Sequence, residues 1–256
     1  MLTMTESQRK ELLSVPEVLV LKNDRVQTEV HIEGADLKSL VIDGEEIIFS
    51  PKLENLKRGG VPVLGPTPGP IKGTDWEHLY PKLPSHGTDR TISWQVDQFD
   101  EGKIVLKRFL GPNEFLFAGE IQMEIALLDD GVKIAKRITN FEDKPREIGH
   151  ALHPYLSKHG DEFDFDDEVV KKIHPLVNRE SKVLSKSESN GMARVSYRVK
   201  DFGVVLEADP VPTQWVFWTD DLDKYECVEP WWAEVGKGDV VGSREIKEYS
   251  LIIRKL

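Results

Sequence analysis

Three short segments place histidine or glutamate in unusual company. They are LPSHGTDR, with His86, Asp89 and Arg90; IGHALHPYLSKHG, with His150, His153, Tyr155 and His159; and YECVEPWWAEVG, with Glu226, Glu229, Trp231 and Trp232. A fourth, LKRGGVP, sets Arg58 ahead of a glycine pair. Glu229 is followed by a proline and two tryptophans. A carboxylate beside large apolar rings loses water, which disfavours its charged form and makes it a stronger base. The chemistry such a base suggests is proton transfer. The plainer alternative is an exposed Glu229 above two core tryptophans. His150 and His153 are three apart, and Pro154 opposes helix at residue 153. On a strand, that spacing points them to opposite faces. They are a poor metal pair, and only one should face a given pocket. His86 sits between proline and glycine in a loop, where a buried structural role is less natural. His31, His78, His159 and His174 are read as ordinary core or surface residues.

Composition narrows the field. The chain has 256 residues, 39% hydrophobic, which suffices for one large core without staples. The whole chain reads as one domain, 1–256, with 1–15 a peripheral segment. A net charge of −11 disfavours nucleic acid as the partner. It does not forbid an anionic ligand met by a few converging arginines. One cysteine, Cys227, excludes intrachain disulfides and cysteine-rich metal sites. No signal-like or membrane-length apolar run is present, so a cytoplasmic protein is expected.

The elements that position these residues read as strands. VQTEVHIEG alternates, and DLKSLVIDGEEIIFS carries an Asp43-Gly44 turn. RTISWQVDQF, KIVLKRFLG, FAGEIQMEIALLDDGVKIAKRITNF, ARVSYRVKDFGVVLEA, TQWVFWTD and EIKEYSLIIRKL alternate or are rich in β-branched residues. Glu101-Gly102, Asp130-Gly131 and Asn190-Gly191 mark turns between them. A short helix is expected over 5–13, with Thr5 as its cap. Residues 58–90 hold too much glycine and proline for a regular strand, and long ordered loops are often functional. The acidic run at 161–175 lacks calcium-loop spacing and reads as a solvated loop. The pattern as a whole is all-β, an antiparallel sandwich or barrel.

In this order, the segments resemble the aldose 1-epimerase, or galactose mutarotase-like, family. TEVHIEGADLKSLVIDGEEII is similar to its opening strands, and RGGVP to a segment of the hexose-6-phosphate epimerase branch. SHGTDR, ALHPYL and CVEPWW resemble its His-Gly-x-x-Arg, His-x-Tyr and Val-Glu-Pro motifs. The resemblance spans about residues 18–256 and implies a large antiparallel β-sandwich with a sugar cleft on one sheet. It further implies that Glu229 is the general base at the anomeric hydroxyl and His153 the acid at the ring oxygen. His86 would assist at that oxygen, and Arg58 and Arg90 would bind hydroxyls or a phosphate. Trp231 and Tyr155 would line the site. No cofactor or metal is implied. The partner would be a small sugar or sugar phosphate, bound by a monomer or weak dimer. GPTPGPIKG departs from the phosphate branch, HPYL and EPWW look closer to other branches, and no motif anchors that family's further substrate-binding aspartate, for which the acidic run at 161–167 is one source. A binding protein that keeps the cleft without turnover is the alternative from another class. A glycosidase would need a second carboxylate in comparable surroundings.

Overall fold

A computed structural model describes residues 17–50, 58–78, 83–111, 118–159 and 161–256. The expected helix over 5–13 lies outside the described residues. Alternation of apolar side chains builds the largest sheet. β6 (Gln95–Phe99), β7 (Lys103–Leu110), β8 (Gly119–Leu128) and β9 (Gly131–Asn140) form a meander of successive antiparallel neighbours. β20 (Ile246–Lys255) pairs with β9 on one side and with β16 (Phe202–Asp209) on the other. β15 (Arg194–Val199) and β13 (Asp164–Phe165) complete eight strands.

The second large sheet has six strands, and the candidate residues gather on it. Its order is β14 (Lys182–Ser185), β17 (Gln214–Trp218), β18 (Tyr225–Trp231), β11 (Ala151–Leu152) and β5 (Val63–Leu64), with β12 (Tyr155–Ser157) also on β18. A four-stranded sheet runs β1 (Val18–Lys22), β2 (Val26–His31), β3 (Asp36–Ile42) and β4 (Glu45–Glu46). Bridges at Leu37–Val61 and Ile48–Leu156 join it to the six-stranded sheet. β10 (Arg146–Ile148) and β19 (Asp239–Val241) form a small pair. One contiguous apolar cluster draws Leu40, Leu106, Ile125, Ile134, Phe217, Val228 and Leu251 from the inner faces of all three larger sheets. The expected antiparallel β-sandwich is therefore the fold. No helix among the described residues is long and apolar enough to cross a membrane.

One reading changes. The acidic run is not simply a solvated loop: Phe163, Phe165 and Val170 are buried, and Asp167 caps a helical turn, α1 (Glu168–Lys171). Its apolar residues at alternating positions seal one edge of the core while the carboxylates stay outside. Asn190-Gly191 forms the expected turn between strands, and it joins β14 to β15, which belong to different sheets.

Candidate functional site

β18 is buried throughout, and its alternation sorts its residues. Val228 faces the core, while Cys227, Glu229 and Trp231 share the opposite face. β17 continues that face: Gln214 lies opposite Trp231, Val216 opposite Glu229, and Trp218 opposite Cys227. On the other side of β18 the partner changes. β11 meets it at Trp231 and β12 at Tyr225–Cys227, and His153 and Pro154 fall in the gap between them. Such interruptions re-aim side chains beside active sites. The gap also explains Pro230 in an interior strand. The Trp232 N–H donates to His150 O, so by alternation position 230 faces the same side, where no ladder partner awaits an N–H.

The RGGVP segment runs beside the HPY segment. The His153 N–H donates to Pro62 O and the Tyr155 N–H to Gly60 O. This brings Arg58 to Tyr155. The His86 loop is fixed from below. Gly87 has φ +70°, and a Cβ there would lie 2.0 Å from Gly65 O, so only glycine fits. His86 itself has φ +68°, an uncommon conformation for a side chain of this size. Beneath the loop, buried Asp89 accepts from Arg108 Nη1 at 2.9 Å and Lys136 Nζ at 2.8 Å. These cations come from β7 and β9, so the His86–Arg90 turn is bolted onto the eight-stranded sheet.

The result is one cleft of about 460 Å³ whose wall includes Glu229, His153, His86, Arg58, Arg90, Tyr155 and Trp231. All seven sequence candidates meet there. Glu229 Oε2 accepts from Trp231 Nε1–H at 2.9 Å, which leaves Oε1 3.3 Å from His153 Nε2. Burial raises the Glu229 carboxyl to about 8, against the opposing pull of the Trp231 hydrogen bond. Burial, then the neighbouring His86, hold the His153 imidazole well below its ordinary value. His153 stacks on Tyr155 at 4.7 Å. His86 Nδ1 accepts from the Gly69 N–H at 3.1 Å. Burial, Arg90 and Arg58 pull the His86 imidazole down to about 4. A neutral His86 whose Nδ1 is an acceptor carries its proton on Nε2, and so is a hydrogen-bond donor there.

The remaining candidates separate. His150 is buried away from the cleft, stacked on Trp232 at 5.0 Å. Trp232 belongs to the core, its Nε1–H donating to Pro210 O. Glu226 points to the other face of β18 and pairs with buried Lys158. The acidic run at 161–167 contributes nothing to the cleft wall, so it is not the source of a further carboxylate there. Asp220 is the carboxylate at this end of β17, and it accepts from Arg58 at 2.7 Å and from the Tyr225 hydroxyl. Sequence reasoning missed Asp220, Gln214 and Trp218. Period two in TQWVFWTD, counted from Trp218 through Val216 to Gln214, was the available signal for the last two. It also missed that the Gly-Pro run forms a wall: a Cβ on Gly69 would lie 3.2 Å from the Trp231 ring.

The aldose 1-epimerase family model matches residues 17–174. No curated protein matches the sequence. Among solved structures, the Slr1438 protein of Synechocystis sp. PCC 6803 is 18% identical, with TM-score 0.75, covering 94% of this chain and 96% of its own. A galactose mutarotase-like protein from Lactobacillus casei ATCC 334 is 15% identical at TM-score 0.76, covering 93% and 100%. The GalM/aldose epimerase homologue from C. elegans is 11% identical at TM-score 0.69, covering 93% and 98%. At these identities the structures speak to fold. The family match covers more than half the chain and includes the segments that carry Arg58, His86, Arg90, His153 and Tyr155, and with it the chain belongs to the aldose 1-epimerase family.

Proposed function

We propose that this protein interconverts the α and β anomers of an aldose or its 6-phosphate, with Glu229 and His153 as the proton-transfer pair. The observation that carries this reading is their direct approach at 3.3 Å on the floor of a partly apolar cleft. Glu229 takes the proton of the C1 hydroxyl while His153 delivers one to the ring oxygen. The C1–O5 bond breaks and an open-chain aldehyde forms. Rotation about C1–C2 presents the other carbonyl face, and the two groups exchange roles as the ring closes. His86, a neutral donor, would steady the ring oxygen. Trp231 would cover one face of the sugar.

The electrostatics set the proton count. A carboxyl raised to about 8 beside a depressed imidazole means that the pair holds one proton at neutral pH and that it rests on Glu229, so it must pass to His153 before Glu229 can act as the base. One proton shared by two groups is what a reaction needs when it consumes a proton at one atom and releases one at another. Arg58 is already engaged by Asp220, whereas the guanidinium of Arg90 donates only a longer bond, 3.2 Å, to Ser85 O. Of the two, Arg90 is better placed to receive a phosphate.

Anomeric exchange followed by NMR over a panel of aldoses and aldose 6-phosphates tests the proposal. One sugar should exchange faster with protein. Glu229→Gln should lower that rate by about 10²–10⁴-fold with sugar binding retained. Unchanged rates in Glu229→Gln would remove the role assignment. Binding without acceleration across the panel would leave a sugar-binding protein.

A further inference from the structure

The face of β18 that carries the base carries a thiol two residues earlier. Cys227 is fully buried, and its Sγ, one carboxylate oxygen of Glu229 and one ring nitrogen of His153 lie within 4.8 Å of one another. The proton-transfer reading gives Cys227 no task. From this geometry we infer that the floor of the cleft is an inhibitory site for a soft divalent cation such as Zn²⁺ or Cd²⁺, held by Cys227, His153 and Glu229.

The ligand set is one thiolate, one imidazole and one carboxylate, which matches the preference of these ions for sulfur and nitrogen with an oxygen as third donor. The His153–Glu229 separation of 3.3 Å is already that of two neighbouring ligands. Bonds of about 2.0–2.1 Å at a tetrahedral angle put two such donors about 3.3 Å apart. Cys227 Sγ, no more than 4.8 Å from either, needs to advance by about 1 Å at most to join them. The supporting contacts are in place as well. Trp231 Nε1–H holds Glu229 Oε2 and so aims Oε1 at His153, while stacking on Tyr155 fixes the imidazole plane. Supporting contacts of this kind orient metal ligands. Three protein ligands leave a fourth position for water or another donor.

Binding balances simply. The cation takes a lone pair from each donor, and the thiol proton and any proton on Glu229 leave to solvent, with no change of oxidation state. The cation thereby occupies the lone pairs of both the acid and the base. Inhibition rests on the anomerase reading above; metal binding rests on the geometry alone.

The test titrates the full chain with CdCl₂ and ZnCl₂, first without sugar. The expected result is one cation per chain by calorimetry and a thiolate-to-cadmium charge-transfer band that saturates at one equivalent. Glu229→Gln should weaken binding while the band persists. Cys227→Ser and Cys227→Ala should both abolish the band. In the anomeric-exchange assay, metal-free Cys227→Ser should turn over like the parent. The parent should lose activity at one equivalent of Zn²⁺ and recover it with EDTA, and Cys227→Ser should need at least about 100-fold more Zn²⁺. A missing band in the parent, cadmium affinity in Glu229→Gln equal to the parent's, or Zn²⁺ inhibition of both cysteine variants at the parent's concentration overturns the inference. A saturating band in a protein that accelerates no sugar upholds the site and removes the anomerase reading instead.

Discussion

Glu229 is buried opposite Val216 on the neighbouring strand, and its Oε2 accepts from Trp231 Nε1–H. This burial is why its carboxyl is raised to about 8, and it sets the expected pH dependence of turnover. Below that value the pair keeps its one proton; above it the pair is empty and no acid remains. Activity should therefore fall as pH rises through about 8. On the acid side a second proton must be forced onto His153, whose imidazole is depressed by burial, so the acid limb should lie well below the pH of ordinary histidine titration. A pH profile of kcat/KM for anomeric exchange checks both limbs. An acid limb at the ordinary histidine value, near 6.5, or no fall through about 8, would refute the shared-proton account.

At the scale of the element, Asp89 fastens the His86–Arg90 loop to β7 and β9. It is fully buried between Lys136 and Arg108, and its backbone carbonyl accepts from Trp94 Nε1–H at 3.0 Å. Asp89→Asn keeps the shape and removes the charge that Lys136 is paired with. It should cost about 3–5 kcal/mol of stability, as breaking buried ion pairs does, read as a shift in urea midpoint. A loss under about 1 kcal/mol would show that Lys136 enters the fold uncharged. None of this was legible beforehand. SHGTDR exposes Asp89 in the sequence, but its partners lie 19 and 47 residues away, and nothing local announces a buried triad. What was legible is what alternation encodes. The long strands β2, β3, β7–β9, β15–β17 and β20 follow from period two, and the turn residues stand between them. Short strands such as β5, β11 and β12 escaped, because two or three residues carry no period. Those short strands set the gap that holds His153, so the fold was readable further than the geometry of the site. The seven candidate side chains came from motif order, and the sheet explains why that order works. Residues from 58 to 231 converge because β5, β11, β12 and β18 are neighbours in one sheet.

At the scale of the molecule, the chain is acidic while the mouth of its cleft is not. Net charge is −11, yet Arg58 and Arg90 line the wall and Asp220 offsets only one of them. Over distances beyond about 8 Å at physiological salt the overall charge is screened, whereas contact with the arginines is not. A hexose 6-phosphate should thus lose kcat/KM as salt is raised, while the unphosphorylated sugar holds steady. A rise with salt for the phosphate would mean that long-range repulsion prevails. Arg90→Ala should remove most of the salt-sensitive part and Arg58→Ala less.

The eight-stranded sheet has a further consequence for how this chain comes into being. Its two halves, the β6–β9 meander and the β13–β15–β16 group, touch only through β20, the last described strand in chain order. During synthesis each half emerges with one long unpaired flank, β9 or β16, and neither can be covered until β20 leaves the ribosome. Open strand flanks are templates for pairing with another chain. The nascent protein is thus exposed to self-association through two flanks at once, and the interval between translation of β16 and of β20 sets how long that exposure lasts.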